Sequence, residues 1–283
     1  MATDAPADEY LELAGGRVHL FRAGLGEPLL FLHAAGGAGT WHEFHERLAG
    51  SFDVIAPDHP GFGGSDEFAE VEAIDDLVLH YLDVIDALGL ERPHVVGASF
   101  GGWIAAELAV AASHRITSLV LLSPAGLRLP DHPAADIFLM PPGELVTALF
   151  HNPPPAPDEP AAPDIDTILA AYRDQTALAR FCWSPYLCNP KLERRLHRIT
   201  APTLVVSPSQ DRIIPIAHGR RYAERIPGAS FAEIADCGHA MYFERPAEFA
   251  NVTVSFAATA GASTAAGGSG ASFPRASSNG ASR

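Results

Sequence analysis

Short apolar runs alternate with amphipathic segments along most of this chain. Residues 29–32 and 53–56 are apolar runs that end in loops rich in glycine and proline, which is typical of parallel strands buried on both faces. Residues 17–22 alternate polar and apolar side chains, which predicts a half-buried edge strand. Further apolar runs predict strands at residues 93–96, 118–122, 203–206 and 230–235.

The segments between these strands show helical patterns. One helix is predicted by apolar residues at helical spacing before Gly89, namely Ile74, Leu77, Val78, Tyr81, Ile85 and Leu88. A capping box that opens at Thr40 predicts a second helix, and residues 102–109 and 217–226 predict two more. Repeated strand–helix units predict an α/β fold, with a mostly parallel sheet covered by helices on both faces.

The alternation is interrupted between residues 127 and 190. Prolines there interrupt regular structure: Pro141, Pro142, Pro153, Pro154, Pro155, Pro157, Pro160 and Pro163. Two helical pieces, at residues 143–150 and 164–180, accompany large apolar side chains that include Phe181 and Trp183. We therefore expect a helical cap over the C-terminal edge of the sheet rather than a plain linker, with Trp183 as the first candidate for a pocket wall.

These patterns divide the chain into three parts. Residues 1–126 and 191–256 are expected to form the core, and residues 127–190 the helical cap or lid. From Ala257 onward, alanine, glycine, serine and threonine dominate the sequence and few bulky side chains remain to be buried. Residues 257–283 are therefore expected to be a disordered tail.

Charge and cysteine content narrow the classes of function. The net charge of −15, with no basic cluster, disfavours nucleic acids and anionic membrane surfaces as partners. The acidic N-terminus does not resemble a secretory signal, and no apolar segment is long enough to span a bilayer. Three scattered cysteines, Cys182, Cys188 and Cys237, indicate free thiols in a reducing compartment. We expect a cytoplasmic protein that acts on a small molecule and needs no cofactor or metal.

The strongest chemical signal is the pentapeptide Gly97-Ala98-Ser99-Phe100-Gly101. An apolar strand precedes it and an alanine-rich helix follows it. A serine on such a tight strand-to-helix turn is lifted above the sheet, where the helix N-terminus directs N–H groups at developing negative charge. Ser99 is therefore a candidate nucleophile.

A serine hydroxyl needs a base to take its proton, and the base needs a carboxylate to orient it. Among thirteen histidines, His239 follows the last predicted strand and so lies at the same sheet edge as Ser99. Asp211 follows the strand at residues 203–206, and we favour it over Asp236 as the orienting acid. The pair His42 and His45, one residue short of a zinc-binding H-E-x-x-H spacing, is assigned to a helix face.

With these residues in place, the chain resembles the α/β-hydrolase superfamily. The resemblance extends over about 250 residues and rests on the motifs LHAAGG (32–37), PDHPGFGGS (57–65), GASFG (97–101), SQDRIIP (209–215) and GH with ERP (238–239, 244–246). It implies Ser99 as nucleophile, His239 as base and Asp211 as acid. It also implies an oxyanion hole formed by the backbone N–H groups of Ala35 and Phe100.

A serine at this turn argues against capped relatives that use an aspartate, such as epoxide hydrolases and haloalkane dehalogenases. The resemblance implies acyl chemistry, and we expect hydrolysis of a carboxylic ester with a partly hydrophobic acyl group. Alternatives are hydrolysis of a carbon–carbon bond in a vinylogous diketone, acyl transfer or perhydrolysis, and ligand binding without turnover. Carbon–carbon hydrolases of this kind often carry tryptophan after the base, where this chain has Ala240.

Overall fold

The structure is a computed structural model that describes residues 5–155 and 164–265, with side chains described as far as residue 260. Its strands form a single eight-stranded sheet in the order β1-β2-β4-β3-β5-β6-β7-β8. The strands are β1 Ala7–Leu13, β2 Gly16–Ala23, β3 Pro28–Leu32, β4 Asp53–Pro57, β5 His94–Ala98, β6 Leu119–Leu122, β7 Thr203–Pro208 and β8 Ser230–Ile234. The pairs β1–β2 and β2–β4 are antiparallel and all the others are parallel, which confirms the predicted α/β architecture.

Helices cover both faces of the sheet. They are α1 Glu43–Ala49, α2 Ile74–Ala87, α3 Phe100–Ala112, α4 Pro142–Leu149, α5 Ile165–Cys182, α6 Ala217–Arg225, α7 Met241–Glu244 and α8 Pro246–Ala265. Helices α2 and α3 bury Tyr81 and Ile104 in one apolar cluster, whereas α1 and α8 bury Phe44 and Phe249 in the other. Burial on both faces explains why the central strands read as continuous apolar runs.

The register of the parallel strands brings their C-terminal ends to one edge. Ala98 at the end of β5 pairs with Leu122 of β6, and Leu122 pairs with Val206 of β7. On the far side of β7, Pro208 pairs with Ile234 of β8. Residues that follow these strands therefore converge along one edge of the sheet, although they are far apart in sequence.

One helix start and one edge strand differ most from the sequence-based predictions. The helix predicted to open at Thr40 begins at Glu43, because the backbone N–H of His42 donates to His45 Nδ1 at 3.0 Å and caps the helix there. The edge strand β1, Ala7–Leu13, was not predicted from the sequence. Most of its residues are exposed, so its apolar pattern is weak, and its position comes from hairpin pairing with β2.

The predicted start of the tail at residue 257 is wrong. Helix α8 continues to Ala265, and Ala257 and Ala260 are buried. Small side chains let this helix approach its neighbours closely, so bulky residues are not needed for burial there. Residues 266–283 lie outside the described residues.

The segment between β6 and β7, which we call the insertion (residues 127–190), carries α4 and α5; residues 156–163 lie outside the described chain. Only the C-terminal half of α5 is buried, through Ala177, Leu178 and Phe181. Trp183 is 64% exposed and packs against Phe138 with 5.5 Å between ring centroids. The proposed role of Trp183 as a pocket wall is therefore wrong, because its ring lies on the surface.

Candidate active site

Ser99 occupies a strained turn between β5 and α3. Its backbone has φ 52° and ψ −109°, a left-handed conformation that a non-glycine residue adopts only when the surroundings impose it. The flanking glycines are required by close packing. A Cβ on Gly97 would lie 2.4 Å from the carbonyl oxygen of Gly101, and one on Gly101 would lie 2.2 Å from that of Leu32. This packing places Ser99 above the sheet edge, with its side chain largely buried.

The three candidate catalytic side chains meet at that edge. His239 Nε2 lies 2.9 Å from Ser99 Oγ, and His239 Nδ1 lies 2.7 Å from Asp211 Oδ2. Asp236, the rival acid, occupies a turn with φ 48°, where its backbone N–H donates to Ser209 Oγ at 3.1 Å. The structure therefore brings Ser99, His239 and Asp211 together in one hydrogen-bonded chain.

Asp211 is held by more than the histidine. Its side chain is inaccessible to solvent, and Oδ1 accepts the backbone N–H groups of Ile213 and Ile214, each at 2.8 Å. Oδ2 accepts a hydrogen bond from the hydroxyl of Ser123 as well as that from His239. Sequence analysis did not identify Ser123. The available signal was its position directly after the apolar run of β6, which matches the position of Ser99 after β5.

The loop after β3, which contains the candidate oxyanion donor Ala35, is fixed by two buried histidines. The backbone N–H of His59 donates to His33 Nε2 at 3.0 Å, and His59 Nε2 lies 2.9 Å from the carbonyl oxygen of His33. Burial lowers the pKa of both rings, which favours their neutral forms. The two histidines therefore hold the loops after β3 and β4 together through hydrogen bonds.

Two further side chains anchor the same loop. Asp58 is buried and accepts the backbone N–H of Gly39 at 2.6 Å and that of Gly64 at 2.8 Å. The hydroxyl of Tyr242 on α7 donates to the carbonyl oxygen of Gly36 at 3.3 Å. The loop is therefore attached both to the segment after β4 and to the helix that follows His239. Phe100, the other candidate donor, is the first residue of α3.

The first part of the insertion is tied to the loop that carries His239. The carboxylate of Glu244 accepts the backbone N–H groups of Gly238 at 2.6 Å, Asn152 at 2.9 Å and His151 at 3.1 Å. Burial would raise the pKa of Glu244, but the three amide donors outweigh it and hold this pKa below its usual range. One ionised side chain thus joins the end of α4 to the histidine loop.

The second part of the insertion is tied to the segment after β4. The guanidinium of Arg173 on α5 donates to the carbonyl oxygen of Gly63 at 2.8 Å and to that of Ser65. Arg180, two turns further along α5, donates to the carbonyl oxygen of Phe68 at 3.3 Å. The insertion is therefore attached on both sides of the candidate site.

Candidate metal ligands are not grouped within the residues that the structure describes. No group of three or more histidine, cysteine, aspartate or glutamate side chains among those residues is arranged to hold an ion. His45, from the zinc-like spacing, is used at the start of α1, and burial lowers its pKa to about 3. Cys182, Cys188 and Cys237 are buried free thiols. Within the described ranges, no helix has the length and apolar character needed to cross a membrane.

Comparison with known proteins defines the class. A sequence profile of the alpha/beta hydrolase family matches residues 29–252, so the chain belongs to that family and is a hydrolase by class. A carbazole-degradation serine hydrolase, the CarC enzyme, superposes with a TM-score of 0.73 at 25% identity, covering 90% of this chain and all of that one. A bacterial membrane phospholipase A at 23% identity gives a TM-score of 0.74 over 90% of this chain and 86% of its own, which supports the fold alone.

Curated relatives are similar over nearly their whole length. The chain is 29% identical to the 2-hydroxy-6-oxo-6-phenylhexa-2,4-dienoate hydrolase of Burkholderia cepacia, covering 87% of this chain and 93% of that protein. It is 31% identical to the 2-hydroxymuconate semialdehyde hydrolase of Pseudomonas sp. (strain CF600), covering 88% of this chain and 93% of the relative. Both relatives are named as hydrolases of conjugated oxo acids or semialdehydes.

Proposed function

We propose that Ser99 is the nucleophile of a serine hydrolase, His239 its general base and Asp211 the acid that orients the base. The observation that carries this proposal is the continuous hydrogen-bonded chain, with 2.9 Å between His239 Nε2 and Ser99 Oγ and 2.7 Å between His239 Nδ1 and Asp211 Oδ2. In this geometry His239 takes the proton of the hydroxyl as Oγ attacks a carbonyl carbon. Asp211 holds the tautomer and stabilises the imidazolium that forms.

The negative charge that develops on the carbonyl oxygen needs donors already in place. The backbone N–H of Phe100, at the N-terminus of α3, and that of Ala35, in the anchored loop after β3, are the proposed oxyanion hole. The support for Ala35 is that its loop is held by His33, Asp58 and Tyr242. Loss of one such donor typically costs about a hundredfold or more in rate.

For the substrate, we place carbon–carbon bond hydrolysis ahead of the ester hydrolysis expected from the sequence. The support is the set of relatives whose names specify dienoate and semialdehyde hydrolases, each similar to this chain over nine-tenths of its own length. The proposed substrate is a vinylogous diketone that bears a carboxylate. Ala240 follows the base where such hydrolases often carry tryptophan, so this chain must shape that part of the site differently.

The two reactions differ in what leaves the tetrahedral intermediate. An ester releases an alkoxide, which His239 protonates. In the diketone, the bond between the attacked carbonyl carbon and its neighbouring carbon breaks, and its electron pair forms a dienolate. A substrate supplied as the conjugated dienol must therefore first tautomerise to this diketone, which is its keto form. The dienolate takes the proton from the imidazolium, and water then cleaves the acyl-serine ester to release a carboxylic acid and regenerate Ser99.

We also propose that the insertion, residues 127–190, acts as a cap over this site. The support is its attachment on both sides of Ser99, through Glu244 to the histidine loop and through Arg173 and Arg180 to the segment after β4. A cap fixed in this way encloses the reacting carbonyl and limits the shape of the acyl group.

The experiment combines active-site labelling with two substrate series. The native protein, Ser99→Ala and Ser207→Ala are treated with a fluorophosphonate and then assayed with 2-hydroxy-6-oxo-6-phenylhexa-2,4-dienoate and with nitrophenyl esters of graded acyl length. Ser207 is the matched control, because it is a buried serine at the end of β7 whose Oγ has no partner among the described residues.

We expect labelling of Ser99 in the native protein and in Ser207→Ala, together with turnover of the dienoate that exceeds turnover of the esters. Labelling of Ser99 with faster ester turnover would return the assignment to ester hydrolysis. Absence of labelling at Ser99, in protein that remains folded by circular dichroism, would refute the serine mechanism.

A further inference from the structure

Ser123 lies where β6 ends, in an unusual backbone conformation. It is buried, its φ is 42°, and its backbone N–H donates to the carbonyl oxygen of Val206 on β7 at 2.8 Å. Glycine adopts positive φ at lower cost than serine. The backbone alone would therefore suit glycine better, and the hydroxyl is what serine adds at this position.

That hydroxyl donates to Asp211 Oδ2, which is also the oxygen that faces His239 Nδ1. The other oxygen, Oδ1, accepts two backbone N–H groups, from Ile213 and Ile214. The solvent-excluded carboxylate therefore has four donors, two on each oxygen. A carboxylate oxygen offers about two acceptor sites, so Asp211 is fully used.

We propose that Ser123 is a positioning residue that acts through Asp211 and sets the pH above which His239 can serve as the base. The Ser123 hydroxyl withdraws negative charge from the oxygen that faces the imidazole, so the protonated ring is stabilised less and the neutral, basic ring persists to lower pH. The same bond fixes the carboxylate at the distance that keeps His239 in line with Ser99. This inference rests on the proposed serine mechanism.

Two other titratable groups lie near Asp211, and neither is a hydrogen-bond partner of Ser123. His218 on α6 and Cys237 on the histidine loop both interact electrostatically with Asp211. Burial lowers the pKa of His218, so that ring is neutral near neutral pH, and burial raises the pKa of the Cys237 thiol to about 12. The neighbouring Arg212 directs its guanidinium to the carbonyl oxygen of Thr147. A change in pH dependence in Ser123 variants is therefore assigned to the lost hydroxyl.

The test compares Ser123→Ala and Ser123→Gly with Ser207→Ala. Both Ser123 variants remove the hydroxyl. Glycine also adopts the positive φ at lower cost, so the glycine variant keeps the test available if the alanine variant fails to fold. Ser207→Ala removes a buried hydroxyl from the end of the adjacent strand without touching Asp211. The measurements are kcat/KM against pH and, independently of turnover, the NMR titration of the His239 imidazole.

We expect the acid limb of kcat/KM to move to higher pH by about half a unit to one unit in both Ser123 variants, which lowers the rate on that limb by about 3- to 10-fold. The NMR midpoint of His239 should move in the same direction, and Ser207→Ala should change neither. An unmoved midpoint in folded Ser123 variants would overturn the inference. The proposed function itself would be refuted if the native protein were neither labelled at Ser99 nor active on either substrate series. The NMR midpoints of His239 in the native protein and the Ser123 variants would then decide the role of Ser123.

Discussion

The C-terminal edge of the sheet and the insertion differ in burial and in the contacts that hold them. At the sheet edge, Ser99 and Asp211 are buried, and hydrogen bonds fix each of them from several elements. The insertion instead leaves large apolar side chains open to solvent, namely Leu139, Ile165, Leu169, Tyr172 and Trp183. It is attached to the core by the buried C-terminal half of α5 and by a few charged side chains that bind backbone groups.

This difference suggests separate roles for the two regions, one in the chemical step and one in the choice of substrate. Close packing at the edge holds Ser99 to a narrow geometry, because a strained turn such as that of Ser99 persists only when its surroundings impose it. The insertion has fewer such constraints, so its shape can change at little cost to the fold. We infer that the sheet edge determines the type of reaction and that the insertion determines which substrate is accepted.

Replacement of Asp211 by asparagine tests the first half of this comparison most severely. The amide keeps the shape but removes the charge that supports the imidazolium, and we expect kcat to fall by about 10⁴-fold with little change in KM. Asp236→Asn, at the turn three residues before His239, is the control and should retain near-native kcat. Comparable losses in the two variants would show that the acid has been misassigned. Steady-state kinetics on the better substrate of the two series, the dienoate or the esters, provide the measurement.

A matched pair of leucines compares the two regions in stability. Leu30 in β3 is fully buried, whereas Leu169 on α5 is 61% exposed. Leu30→Ala should lower the free energy of unfolding by about 2–5 kcal/mol, since it removes packing and leaves a cavity. Leu169→Ala should change it by less than about 0.5 kcal/mol. Urea denaturation of both variants decides the matter, and a large loss at Leu169 would mean that the insertion is packed as tightly as the core.

Acid should weaken the core through its buried histidines. Burial lowers the pKa of His80 on α2 to about 4, and an unfolded histidine titrates near 6.5. The fold therefore favours the neutral ring, so this contribution is complete above pH 6.5 and is lost as the pH falls toward 4. We expect His80 to account for a loss of about 2 kcal/mol between pH 7 and pH 5.

The measurement is urea denaturation at several pH values. His80→Leu should remove that part of the slope, while His197→Leu at an exposed position should leave it unchanged. Equal slopes in the native protein and in His80→Leu would contradict the assignment.

The smallest expected effect concerns the attachment of the insertion. Arg173→Ala removes the bonds from α5 to the carbonyl oxygens of Gly63 and Ser65, and we expect KM to rise by about 3- to 10-fold while kcat changes by less than about twofold. Arg225→Ala breaks an ion pair with Glu193 remote from the site and should change neither constant. A fall in kcat at unchanged KM would show that the insertion takes part in the chemical step.

Sequence patterns predicted the sheet edge well because its constraints are local. Ser99 needs glycines on both sides within one pentapeptide, and Asp211 and His239 each follow an apolar strand. Features created by distant contacts were missed. Strand β1 is positioned by its hairpin partner, and the contact of Ser123 with Asp211 joins residues 88 positions apart.

The insertion shows the opposite limit. Its helices were predicted from periodicity, yet the side that each presents to the core was not. Trp183 was expected to line a pocket because of its size, but its exposed ring packs on Phe138 instead. Apolar character indicates burial only where a partner surface is available, and the sequence of the insertion does not contain that surface.

Glu244 has a consequence for exchange of parts between relatives. Its carboxylate binds the loop of His239, the proposed base, and also the end of α4, so these two segments are not independent modules. A foreign insertion grafted between β6 and β7 would remove the partners of Glu244 at the end of α4. The hydrogen bond from Glu244 to the backbone N–H of Gly238, next to His239, would then be less firmly held, even if every proposed catalytic residue were retained. A change of selectivity through a new insertion therefore also requires a new anchor for the loop of the proposed base, His239.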